Sequence, residues 1–207
     1  MKTRIIIFLF ALLSAAAASA AIPAREAVTR IARYLTDSRS ATVRYTPSTD
    51  GDTQPSQIIC IMGDKFKINS KEMAVWYDGK TQWTYITRNK EVNVTEPTPE
   101  ELAEINPLLI LGTLQSHYQA AYLKSDSQNP ILELTPKPGS EGALPIAKLI
   151  IKYNASDFSP VDLKVEFDAG NSLDIHVTSV TKGINYPPST FVFKKELLPG
   201  AEIVDLR

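Results

Sequence analysis

The sequence predicts a mainly β domain with two main helices, built on an antiparallel sheet of about eleven strands. Three observations carry that reading: a succession of short β-branched and aromatic runs, turn chemistry between them, and just two stretches with helical spacing of apolar residues. The 207-residue chain is 43% hydrophobic with a formal net charge of −1, ordinary values for one globular domain. That near-neutral balance supplies no clustered basic surface for nucleic acid. The single Cys60 cannot form an internal disulfide or a cysteine-rich metal site, and His117 and His176 are the only imidazoles. No metal, nucleotide or other cofactor is expected.

The first element is a targeting segment. Lys2 and Arg4 form a basic region, Ile5 to Leu13 an apolar run, and Ala18-Ser19-Ala20 a small-residue cleavage site, the three parts of a secretory signal peptide. Residues 1–20 are therefore expected to be removed and residues 21–207 to form a single domain. The apolar run is too short and alanine-rich for a membrane span of about 20 strongly apolar residues, so the exported chain is expected to be soluble. Removal takes two basic residues and no acidic one, leaving a net charge of −3.

Residues 24–36 place Ala24, Ala27, Val28, Ile31, Tyr34 and Leu35 on one helical face, with Arg25, Glu26, Arg30 and Arg33 mostly on the other. Strands follow near 41–46, 56–62, 65–69, 73–77, 82–87 and 91–95. Pro47 to Asp52 is turn chemistry, and Asp78-Gly79 is a strong hairpin signal because glycine adopts positive φ at little cost. Asn106-Pro107 can cap a second helix that continues toward Tyr122, with Leu111, Leu114, Tyr118 and Ala121 at helical spacing. Strands resume near 131–135, 146–153, 161–168, 172–181 and 190–193.

Several strands are apolar on both faces. Ile58, Cys60 and Met62 alternate with Ile59 and Ile61, and Met73, Val75 and Tyr77 alternate with Ala74 and Trp76. A sheet with one solvated face would alternate apolar with polar instead. Two arrangements satisfy the pattern: a sheet curled over helices into an ordinary closed core, or a curved, incompletely closed sheet whose concave side keeps room for an apolar ligand. Within the first, Cys60 is an inert buried thiol, while His176, in line with Asp174 and Thr178, belongs to a wet face.

Further residues carry a resemblance that covers essentially the whole mature chain. Asp64-Lys65-Phe66-Lys67-Ile68, then Val75-Trp76-Tyr77-Asp78-Gly79-Lys80-Thr81-Gln82-Trp83-Thr84-Tyr85, and Glu91-Val92-Asn93-Val94 resemble the signature of the LolA family of periplasmic outer-membrane lipoprotein carriers. Asn106-Pro107-Leu108-Leu109 resembles that family's Pro-initiated lid helix. Phe191-Val192-Phe193, Pro199-Gly200 and Glu202-Ile203-Val204-Asp205 resemble its closing segment.

The resemblance implies an unclosed antiparallel β-barrel of about eleven strands, with helices covering the concave face and an apolar cavity for acyl chains. It implies a monomeric periplasmic carrier without enzymatic activity. Its partners would be lipid-modified proteins, an inner-membrane ABC lipoprotein transporter and an outer-membrane acceptor. A binder of free lipid or another apolar ligand is the alternative on the same fold. Where well-studied members carry an arginine thought to latch the lid, this chain reads Cys60-Ile61-Met62-Gly63, so that latch is not carried over. Phe66, Ile68, Met73, Val75, Trp83 and Tyr85 are the candidate acyl-chain wall, and Leu108, Leu109 and Leu111 the candidate lid.

Overall fold

A computed structural model describes residues 22–106, 114–125, 128–140 and 144–207. The amphipathic spacing at the start is realised as α1 (Ala24–Thr36), whose Ala27, Val28, Ile31, Ala32 and Leu35 are buried along one face. Seven strands follow: β1 (Ser40–Thr49), β2 (Asp52–Thr53), β3 (Gln57–Met62), β4 (Lys65–Asn69), β5 (Met73–Tyr77), β6 (Gln82–Ile86) and β7 (Glu91–Thr95). Then come α2 (Pro99–Ile105), a short α3 (Leu114–His117), and strands β8 (Tyr118–Lys124), β9 (Ile131–Pro136), β10 (Ile146–Tyr153), β11 (Pro160–Phe167) and β12 (Ser172–Lys182). Two 3₁₀ turns, Pro188–Phe191 and Lys195–Leu197, lead to β13 (Glu202–Asp205).

These strands form one thirteen-stranded sheet in the order β13-β7-β6-β5-β4-β3-β1-β12-β11-β10-β9-β8, with β2 attached to β1. Every pairing is antiparallel except that of β13 with β7. The end strands β13 and β8 do not pair with each other, so the sheet is unclosed. Its strands from both halves nevertheless share one apolar cluster with α1, including Val43, Ile59, Phe66 and Val75 on one side and Leu134, Leu149, Ile151 and Val165 on the other. The sheet is therefore curved around α1, which lies against β8 and β1 on its concave face.

Two of the expected element assignments are corrected. The helix expected to continue to Tyr122 has turned into β8 by Tyr118, where Tyr118, Ala120 and Tyr122 face inward alternately with exposed Gln119, Ala121 and Leu123. Helix α2, upstream of that, has its own signal: Thr98 and Glu101 form a reciprocal capping box with Pro99 in the first turn. Residues 190–193 are not a strand, because Pro187 and Pro188 start a 3₁₀ turn there. Leu108, Leu109 and Leu111 lie outside the described residues.

The C-terminal segment explains why β3 to β7 are apolar on both faces. After β12 the chain crosses the outer side of β4 and β5, where Phe193 packs 5.4 Å from the Trp76 ring and fully buried Phe191 meets Tyr186 edge-on. Trp76, Val92 and Phe193 form a second cluster there, with Trp83 and Tyr85 packed against it. Cys60 faces the same side and is half-buried, not buried as expected from its apolar run. On β10 to β12 the outer side is instead a charge ladder: Lys148 with Glu133 and Glu166, Lys152 with Asp162, Lys164 with Asp174.

The edge strand β8 pairs with β9 along its length, and its first residue also ties it to the start of β10. The buried Tyr118 hydroxyl donates to the carbonyls of Leu144 and Ile146, 2.9 and 3.0 Å away, and burial raises its pKa. Tyr118→Phe is expected to leave those carbonyls short of a donor and to lower stability by about 1–2 kcal/mol, read from denaturant midpoints.

Candidate functional site

Strand register decides which side chains can share a pocket. The Asp78-Gly79 hairpin, with Gly79 at φ +100° and Asp78 Oδ1 accepting from the Lys80 and Thr81 amides, pairs Tyr77 with Gln82 and hence Val75 with Thr84. Ile68 lies opposite Val75, and Phe66 opposite Tyr77. The concave face of β4 to β6 thus carries Phe66, Ile68, Met73, Val75, Tyr77, Gln82 and Thr84. By the same register Trp83 pairs with Trp76 and Tyr85 with Ala74, which puts both on the outer face. They are removed from the candidate wall.

A cavity of about 280 Å³ opens on the concave face beside the end of α2. Tyr45, Pro47 and Thr49 of β1, Leu173 and Ile175 of β12, and Met73, Val75 and Thr84 supply most of its wall, and Ile105 and Asn106 border it from the helix. Pro47 and Ile175 are cross-strand partners, as are Thr49 and Leu173, so the lining from β1 and β12 is contiguous. Gln54 and Gln57 complete it; Gln57 Oε1 accepts from the Tyr45 hydroxyl at 2.9 Å. Burial drives the Tyr45 hydroxyl far above the ordinary phenol range, so it stays a neutral donor. Among the described residues no acidic, basic or histidine side chain borders this cavity.

Of the expected wall residues, Met73 and Val75 line the cavity, with Val75 buried and Met73 half-buried. Phe66 and Ile68 share their face but are sealed in the core cluster, at 0% and 1% exposure, and do not reach the cavity. Sequence reasoning missed the contributions of β1, β12 and α2. The alternation of Tyr45, Pro47 and Thr49 was a usable signal; their distance in sequence from Leu173 and Ile175 hid the juxtaposition.

A larger depression of about 490 Å³ lies on the outer face along β1 and β10 to β12. Ion pairs cross it, Lys152 to Asp162 at 3.0 Å and Lys164 to Asp174 at 3.4 Å, and the exposed His176 Nδ1 is hydrogen-bonded to Asp162 Oδ1 at 2.6 Å. An acyl chain laid there would strip water from these charges, so the smaller, uncharged cavity is the better ligand site. Partial burial pushes the Asp162 carboxyl up, but hydrogen bonds from His176 and Lys152 outweigh it and hold the carboxyl below its usual range. A depressed folded pKa stabilises above the unfolded value near 3.9 and loses that contribution as pH falls through the folded value. Asp162→Asn is expected to cost under about 1 kcal/mol at pH 7, because the pair is well solvated, and to flatten the acid limb of the pH–stability curve.

A third hollow of about 240 Å³ lies between α1 and β8 to β9, bordered by Val28, Tyr118 and Leu134 but also by Arg25 and Lys137. Among the described residues no group of three or more His, Cys, Asp or Glu side chains is placed to hold a metal ion. None of their helices is long and apolar enough to cross a membrane.

The fold is similar to that of an uncharacterised conserved protein from Thermus thermophilus, at TM-score 0.55 and 11% identity over 88% of this chain and 98% of that one. A LolA superfamily protein from Nitrosomonas europaea aligns at TM-score 0.47 and 13% identity, over 84% of this chain and 99% of its own. A chain of the Pseudomonas aeruginosa MucA/MucB complex aligns at TM-score 0.42 and 12% identity, over 84% of this chain and 62% of that chain. No curated protein matches the chain in sequence. The model of the family described as "Outer membrane lipoprotein carrier protein LolA" matches residues 13–131. With that match spanning more than half of the chain, the protein belongs to the LolA outer-membrane lipoprotein carrier family.

Proposed function

We propose that this protein is a periplasmic, non-enzymatic carrier that shields lipoprotein acyl chains in the concave-face cavity and delivers lipoproteins from the inner to the outer membrane. The observation that carries the proposal is the cavity itself: a hollow between β1, β5, β6 and β12, bordered by the end of α2 and, among the described residues, by no charged side chain. Each acyl methylene left in water costs about 0.8 kcal/mol, so transit demands a dry wall such as Met73, Val75, Leu173 and Ile175 provide. The export segment at residues 1–20 supports the periplasmic location. Leu108, Leu109 and Leu111 follow Asn106 closely in the chain, which supports their role as the lid. An inner-membrane ABC transporter and an outer-membrane acceptor would be its donor and recipient.

The volume of the cavity favours a second reading. At about 280 Å³ it sits near the lower end of ligand sites, which run from about 300 to 1,000 Å³, and a single chain of a free lipid would occupy it. Mass spectrometry of cargo co-purified from the periplasm separates the two. Lipid-modified proteins are the expected cargo; phospholipid or fatty acid without protein would assign the second reading, and an outer membrane sorted normally after depletion would reject the carrier.

A further inference from the structure

We infer that Asn106 and Thr84 form a neutral polar anchor in this cavity, one that receives the carbonyl of an acyl ester or amide and disfavours free fatty acid. The inference rests on the acyl-binding reading above and names the headgroup chemistry that the site selects.

Asn106 ends α2, and its backbone N–H closes the helix by donating to the Leu102 carbonyl at 2.8 Å. Its side chain takes no part in that cap. The residue is 2% exposed and borders the cavity, yet its Nδ2 has no hydrogen-bond partner among the described residues. A buried donor left unpaired costs about 1–3 kcal/mol, a penalty that a ligand acceptor would remove.

Thr84 supplies a second donor. Its Oγ1 accepts from Gln82 Nε2 at 3.1 Å, which leaves its own hydroxyl proton free to turn toward the cavity it lines. Gln82 is itself buried and rooted on the same face. Both groups are neutral, and the rest of the described lining carries no cation. A carboxylate or phosphate entering here would lose its hydration without gaining a counter-charge, whereas an ester or amide carbonyl needs only donors. The apolar wall of Met73, Val75, Leu173 and Ile175 then takes the hydrocarbon behind that carbonyl.

The test uses the purified mature chain and displacement of an apolar fluorescent dye by five probes: a dipalmitoyl-glyceryl lipopeptide, dipalmitoylglycerol, the ether-linked analogue of each lacking the carbonyls, and palmitate. The expected result is ester binding at least tenfold tighter than ether, with palmitate weaker than either. Asn106→Leu, close in volume, is expected to abolish the ester preference while ether affinity is kept, and thermal unfolding should not fall because an unpaired amide has been removed. Thr84→Val should reduce the preference in part. An ester preference confined to the lipopeptide supports the anchor and makes lipid-modified protein its source; one shared with dipalmitoylglycerol supports it with glycerides as an equal source. Equal affinity for ester and ether in the native chain, or a preference that survives in Asn106→Leu, overturns the anchor. Failure of every probe to displace the dye would instead reject the acyl-binding reading on which it rests.

Discussion

Met73→Glu is expected to weaken acyl binding at least tenfold while shifting the thermal midpoint by only a few degrees. Met73 lines the cavity from the first position of β5 and is half-buried, packed against the core cluster and not sealed within it. In the empty protein a carboxylate at this position reaches water at small cost. With a chain bound, it must surrender that hydration against hydrocarbon, a penalty of several kcal/mol, and tenfold in affinity needs just about 1.4 kcal/mol. Trp83→Ala is the matched control. Its side chain packs with Trp76 and Val92 on the outer face, so it should lower stability and leave acyl affinity unchanged. Equal loss of binding in both variants would show that the register does not divide the two faces functionally.

Phe66→Ala is expected to produce the largest loss of stability, about 3–5 kcal/mol, with a drop in melting temperature on the order of 10 °C. Phe66 has no exposed surface, stands between Ile61 and Tyr77 on neighbouring strands, and packs 5.2 Å from the Tyr77 ring. Its removal leaves a cavity that β4 cannot collapse, since both neighbours are fixed by the ladder. Chemical denaturation would measure it. A loss under about 1 kcal/mol would mean that the site is loosely packed and belongs to the ligand cavity after all.

The family fold was readable from apolar alternation, the Asp78-Gly79 turn and the quoted motifs, and α1 from its spacing alone. What local pattern could not show was which element covers each face. Apolar residues on both sides of β3 to β7 suggested a sheet wrapped on itself or kept open for a ligand. The outer side is in fact covered by Tyr186, Phe191 and Phe193 of a segment with little regular structure of its own. Tyr118 to Lys124 misleads because Leu111, Leu114, Tyr118 and Ala121 fall at helical spacing, whereas the sheet rewards the alternation of Tyr118, Ala120 and Tyr122.

The candidate wall was half legible for a related reason. Trp83 and Tyr85 stand in the resembling motif beside Val75 and Tyr77, but pairing across the hairpin makes Thr84 the neighbour of Val75. Once Tyr77 and Gln82 flank the turn, every second residue of β6 is assigned to a face, so the information was present in the turn length. The contributions of Leu173, Ile175 and Asn106 depend on curvature and on the placement of α2, which no local pattern encodes.

The central claim is that acyl chains enter the concave-face cavity. It is tested most directly by photo-crosslinking with a lipopeptide whose acyl chain carries a diazirine, followed by peptide mapping. Labelling on β5 at Met73 and on β12 at Leu173 and Ile175, lost in Met73→Glu, is the predicted result. Labelling confined to the outer face, at Trp83, Tyr85 or Ile150, would contradict it.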